Sequence, residues 1–68
     1  MTARRDGDSV FVTFYGEDQG RRAAARVVRT YCRTVRGRVT HRATFTGSAE
    51  SNQQTPTRNV YRYTLTSV

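Results

Sequence analysis

The spacing of apolar residues changes period along this chain, and the order of those periods limits the folds open to it. Val10 to Tyr15 alternates, with Val10, Val12 and Phe14 on one side and Phe11, Thr13 and Tyr15 on the other, as a strand requires. From Gly20 the apolar positions Ala24, Val27, Val28, Tyr31 and Val35 fall at separations of three, one, three and four, which is one stripe of an α-helix. Alternation returns from Arg38 to Thr46, where Val39, His41, Ala43 and Phe45 oppose Arg38, Thr40, Arg42 and Thr44. It returns again from Asn59 to Ser67, where Tyr61, Tyr63 and Leu65 oppose Val60, Arg62, Thr64 and Thr66. The order strand, helix, strand, strand predicts an α+β fold of two layers, β-α-β-β. One amphipathic helix packs on a three-stranded antiparallel sheet whose last strand lies between the other two.

The punctuation between these segments sets the expected boundaries. Residues 1–9 are polar and show neither period, so they read as a flexible basic N-terminal arm, with residues 10–68 as a single α+β domain. Glu17 and Asp18 fall where a helix N-terminus favours negative charge, and Gly37 suits its C-terminal stop. Gly47 to Thr57 is small and polar and holds the only proline, Pro56, which reads as a long polar hairpin loop. The expected core is Val10, Val12, Phe14, Ala24, Val27, Val28, Tyr31, Val35, Val39, Ala43, Phe45, Tyr61, Tyr63 and Leu65. That core is small, because a chain of 68 residues buries only roughly 60% of its unfolded surface. No run approaches the ~18 apolar residues of a membrane span. The charged start also lacks the apolar segment of a secretory signal, so a cytoplasmic location is expected. Cys32 has no partner for an internal disulfide, and with His41 alone it cannot complete a structural zinc site. Neither metal nor cofactor is expected.

Charge is the feature that points to function. The chain has twelve arginines, no lysine and five acids, for a net charge of +7. Between Gln19 and Ala49 there are eight arginines and no acid. Arg22, Arg26, Arg29, Arg33 and Arg36 are separated by four, three, four and three residues, which on a helix forms one row roughly 160° from the apolar stripe. Like charges three and four apart on a helix cost about 0.2–0.5 kcal/mol per pair. An anionic partner laid along the row relieves that repulsion. The expectation is a non-enzymatic module that binds nucleic acid, DNA or RNA, mostly through the backbone. The row has no Asn or Gln to pair with adenine edges, although arginine can read guanine. Arg4 and Arg5 on the arm could enter a minor groove. A secondary surface is the uncovered sheet face with Phe11, Tyr15, Arg38, Arg42 and Arg62, where exposed aromatics favour a partner or a homodimer. There the aromatics could stack bases while these arginines and Arg58 hold phosphates.

The run Phe11-Val12-Thr13-Phe14, followed by Ala23, Ala24 and Ala25 on the helix, resembles the third strand and second helix of an RNA-recognition motif. The resemblance implies that Phe11 stacks on RNA while Val12 and Phe14 face the core. It covers about a quarter of the chain and departs from the family at Ser9, where a second stacking aromatic belongs. In length and charge alone the chain is similar to phage counter-defence inhibitors such as anti-CRISPR proteins, and such small basic proteins are typical of phages and mobile elements. That likeness implies a second function, an inhibitor or adaptor docking its arginine row on an acidic protein surface. A third alternative is a toxin-like ribonuclease in which His41, Arg42, Tyr61 and Tyr63 converge across two strands. On the residues themselves, Cys32 reads as a small core residue and His41 as a structural one facing inward.

Overall fold

The computed structural model describes all residues 1–68, and the chain forms four strands and one helix. In chain order these are β1 (Thr2–Asp6), β2 (Ser9–Tyr15), α1 (Gly20–Arg29) with a 3-10 turn at Thr30–Cys32, β3 (His41–Ser51) and β4 (Arg58–Ser67). The sheet is antiparallel throughout, in the order β1-β2-β4-β3. The α+β class therefore holds, and β4 does lie between β2 and β3. No helix is long and apolar enough to cross a membrane.

A fourth strand replaces the expected loose arm. Thr2 to Asp6 pairs with β2, from Thr2 opposite Thr13 to Asp6 opposite Ser9. The two-residue connection Gly7-Asp8 has Gly7 at φ 60°, and no non-glycine residue has a positive φ. That combination is the type II′ hairpin turn, whose first central position favours glycine. β1 is an edge strand with only Ala3 half-buried, so it carries no apolar alternation to betray it. Arginines on such an edge also discourage pairing with another chain.

The helix is shorter than its sequence pattern. It ends at Arg29, the 3-10 turn follows, and Arg33 is already extended at φ −135°, ψ 153°. The reason lies in residues 33–39, which form a small hairpin of their own. Arg33 bridges Val39, the Thr34 amide donates to the Arg38 carbonyl at 2.9 Å, and the Gly37 amide donates to the Thr34 carbonyl at 2.9 Å. The Thr34 hydroxyl accepts from the Arg38 amide at 3.1 Å, a local bond that competes with helix continuation. Gly37 at φ 86° closes the turn in the left-handed region. Val35 and Val39 consequently leave the expected core: Val35 is 106% exposed and Val39 51%. Arg38, expected on the second strand, belongs to this hairpin instead.

β3 runs on to Ser51, so the connection to β4 is residues 52–57 rather than Gly47 to Thr57. Pairing slips by one residue between Phe45 and Gly47, leaving Thr46 as the bulged residue, with its hydroxyl donating to the Arg62 carbonyl at 3.2 Å.

The core lies between α1 and one face of the sheet. It holds Val10, Val12 and Phe14 of β2, Tyr61, Tyr63 and Leu65 of β4, Ala24 and Val28 of α1, and Cys32. Tyr31, Ala43 and Phe45 are half-buried against it with Ala3, and Val27 is half-buried on the helix flank. Edge-to-face contacts join Phe14 to Tyr61 at 5.3 Å, and Phe45 to both Tyr61 and Tyr63 at 5.5 Å. Cys32 is a buried free thiol, in keeping with its place beside the apolar stripe.

Candidate nucleic-acid interface

The arginine row is real on α1 and changes character beyond it. Arg22, Arg26 and Arg29 are exposed on the helix, while Ala24 and Val28 are buried. At 100° per residue these three arginines point roughly 150° from the buried pair. Arg33 and Arg36 are not on the helix, so the expected single helical ridge of five is corrected to three helical positions followed by two in the hairpin. The 3-10 turn Thr30–Cys32 nevertheless keeps Arg33 beside its helical neighbours. Arg26, Arg29 and Arg33 line one shallow hollow of about 400 Å³ together with Thr30, Thr34 and Val35. No carboxylate lines it.

Local structure explains why this end of the helix can carry so much positive charge. Arg26 and Arg29 occupy the last turn of α1, where the helix dipole presents about half a negative charge. Thr30 donates its hydroxyl to the Val27 carbonyl at 2.7 Å, satisfying one of the terminal acceptors. Three guanidinium groups outweigh half a negative charge, so the hollow stays strongly cationic. The one guanidinium hydrogen bond within the chain belongs to Arg5, whose Nε donates to the Gly7 carbonyl at 2.9 Å. The donors of Arg26, Arg29 and Arg33 are left for solvent or a ligand.

The opposite end of α1 is built differently. Asp18 accepts the Gly20 amide at 2.7 Å and the Tyr61 hydroxyl at 2.7 and 2.9 Å on its two oxygens. The Tyr63 hydroxyl donates to the Arg21 carbonyl at 3.2 Å, and the buried Asn59 amide donates to the Gly16 carbonyl at 3.1 Å. The Arg21 guanidinium lies 4.0 Å from the centroid of the Phe45 ring. The hydrogen bond to Asp18 holds the Tyr61 hydroxyl above its ordinary pKa of 10.0, with burial adding to the effect. Burial raises that of Tyr63.

The uncovered sheet face gathers part of the secondary surface. Cross-strand neighbours place Arg4, Phe11, Arg62 and Gly47 in one row and Thr2, Thr13, Val60 and Ala49 in the next. Phe11 separates two hollows, one of about 480 Å³ reaching Arg4 and Arg58 and one of about 240 Å³ reaching Arg62. Tyr15, 54% exposed, pairs with Arg58 at one end of the face, and Arg42 pairs with Thr66 towards the other. Arg38 is absent from this face. Arg4 and Arg5 are strand residues rather than parts of a free arm, and the Arg4 guanidinium sits 5.3 Å from the Phe11 ring centroid.

The residues of the ribonuclease alternative are not brought together. His41 is half-buried on the helix side of the sheet with its Nδ1 2.9 Å from the Thr40 hydroxyl, whereas its strand neighbour Arg42 points to the opposite face. Tyr61 lies six residues along β4 from Ser67, the partner of His41, a separation of roughly 20 Å in a strand. The tyrosine hydroxyls are engaged at the start of α1.

Thr30, Thr34 and Val35 are lining residues that the helical pattern misses. The signal present in the sequence is Thr34 three residues before Gly37, a turn signature that the helical spacing of Val35 outweighs. The segment resembling an RNA-recognition motif does place Val12 and Phe14 in the core and Phe11 on the open face, but β2 is preceded by a hairpin strand rather than by a strand, helix and strand. Comparison with family models, with curated proteins and with solved structures finds no match to this chain.

Proposed function

We propose that this chain is a small non-enzymatic nucleic-acid-binding module that grips the phosphate backbone through the end of α1. The observation that carries this reading is the convergence of Arg26, Arg29 and Arg33 on one hollow without a carboxylate. Arg22 extends the site up the helix, about 10 Å from Arg29 at 1.5 Å rise per residue. Arg36 and Arg38 extend it along the hairpin. A guanidinium fork suits the paired oxygens of a phosphate, and Thr30 and Thr34 add hydroxyls beside it. Gathering like charges on one exposed patch brings a domain this small no structural gain, whereas a polyanion neutralises them.

The sheet face supplies further positive charge on the other side of the sheet. Arg4, Arg42, Arg58 and Arg62 share it with a single carboxylate, Asp6. Two copies laid face to face would oppose four arginines with four more, so the charge there favours an anion over self-association.

Titrating a labelled duplex across salt concentrations tests the reading. Neutralising about four or five phosphates gives a slope near −4 in log affinity against log salt, so a fourfold rise in salt weakens binding by about two orders of magnitude. A flat response, or binding confined to acidic proteins, overturns it.

A further inference from the structure

The Arg33–Val39 hairpin has a shape that the backbone grip alone does not require. Every residue from Arg33 to Val39 is exposed, and Val35 at the tip is 106% exposed, so it contributes nothing to the core. The hairpin nevertheless makes its own set of internal bonds. The Thr34–Arg38 and Gly37–Thr34 backbone bonds and the Thr34 hydroxyl define a type I turn closed by Gly37 in the left-handed region. A turn closed by its own bonds that presents an exposed valine between Arg33, Arg36 and Arg38, at the rim of the arginine hollow and with no acid nearby in the sequence, is matched to a partner that combines negative charge with a small apolar contact.

Dimensions select among nucleic-acid grooves. The two chain segments joined at the single Arg33–Val39 bridge lie about 4.8 Å apart and span roughly 10 Å with their side chains, which fits the major groove of B-DNA at about 12 Å and exceeds the minor groove at about 6 Å. From the Arg33–Val39 bridge to the tip is about 8 Å of chain, comparable with the major-groove depth of about 8.5 Å. The corresponding groove of an RNA duplex is too narrow for side chains. In the DNA major groove the apolar feature is the thymine methyl group, and the guanine edge offers the two acceptors that an arginine fork can take.

We propose that the Arg33–Val39 hairpin is a major-groove ribbon for duplex DNA, with Val35 against a thymine methyl and Arg36 or Arg38 on an adjacent guanine or its phosphate. The proposal rests on nucleic-acid binding by the adjoining Arg26, Arg29 and Arg33, and it makes duplex DNA the substrate class of that site.

A short DNA duplex of alternating T-G and C-A steps, the same duplex with every thymine replaced by uracil, and an RNA duplex of the same sequence form the test. Wild type is expected to bind the uracil duplex roughly fourfold more weakly for each thymine methyl that Val35 no longer covers, and the RNA duplex more weakly still. Val35→Ala is expected to lose the distinction between thymine and uracil while keeping the wild-type salt slope, since it removes no charge. Its fold is checked by circular dichroism. Equal wild-type affinity for the thymine and uracil duplexes, or preference for the RNA duplex, overturns the ribbon while leaving the backbone grip standing. Absence of salt-dependent binding to all three overturns the grip itself, and the ribbon with it.

Discussion

At the N-terminal end of α1 the polar groups are used inside the chain, whereas at its C-terminal end the guanidinium groups are turned outward. Asp18, Tyr61, Tyr63, Asn59 and Arg21 each have an internal partner, and together they fasten the helix to the sheet. At the far end of the helix, Arg26 and Arg29 share a hollow with Arg33 and no counter-charge. The same short helix thus separates groups paired inside the chain from groups left open to solvent along its length. At one end the buried Tyr61, Tyr63 and Asn59 are satisfied because an unpaired polar group there would be costly, and at the other the guanidinium groups are left unsatisfied where water already solvates them at little cost.

The separation predicts that the two ends fail differently. Truncating Tyr61 to Ala removes an edge-to-face partner of both Phe14 and Phe45 along with the bond to Asp18. It should cost about 3–5 kcal/mol of stability, the range for large aromatic truncations in a core. In a domain with so little stability to spare, the variant is expected to be largely unfolded by circular dichroism and thermal melting. If it melts like wild type, the Tyr61 end does not anchor the helix and the comparison breaks.

The next largest effect concerns the other end. Arg26→Glu, Arg29→Glu and Arg33→Glu together reverse the charge of the hollow without touching the core. Binding of a duplex at moderate salt should fall by about a hundredfold or more, and the residual salt slope should shrink by about one for each phosphate contact removed. Stability should change far less, because the helix-end interaction forgone is about 0.3–1 kcal/mol for each of the two helical positions. Anisotropy titrations and urea melts on the same preparations make the comparison direct. Unfolding of this variant would place the arginines in the structural half of the molecule.

The parts legible from sequence were those where one face is buried. β2 and β4 alternate cleanly because Val10, Val12, Phe14, Tyr61, Tyr63 and Leu65 all face the core, and the same burial fixes which side of α1 carries Arg22, Arg26 and Arg29. β1 was illegible because an edge strand with only Ala3 packed inward has no period to read. Its one trace was the glycine of a two-residue turn. Val35 and Val39 misled for the opposite reason. Valine at helical and strand spacing looks like core, yet a pairing between Arg33 and Val39 and the local bonds of Thr34 set the chain's path there. The hollow was therefore half legible: Arg33 does adjoin Arg29, but across a single 3-10 turn, after which the chain leaves the helical path and carries Arg36 into the hairpin.

The smallest effect sharpens the description of the satisfied end. Tyr61 gives up its proton less readily in the folded chain than at its ordinary value of 10.0, chiefly because its hydroxyl donates to Asp18. Burial raises Tyr63 in the same direction. A tyrosine held protonated by the fold lends stability that is fully present below pH 10.0 and is lost as the pH climbs through the raised value, because the unfolded chain then gains by ionising first. Arginine keeps its charge throughout that range, so the tyrosines dominate the response. The urea midpoint is expected to hold steady from neutrality to about pH 10 and to fall beyond it. Asp18→Asn removes the charged acceptor and should cost only about 1 kcal/mol at neutral pH, since Asp18 itself is exposed and solvent screens the bond. It should also flatten the alkaline fall, because Tyr61 then loses the main cause of its shift while Tyr63 keeps its own. An unchanged alkaline profile in Asp18→Asn would assign the shift to burial alone and detach Asp18 from the anchoring of α1.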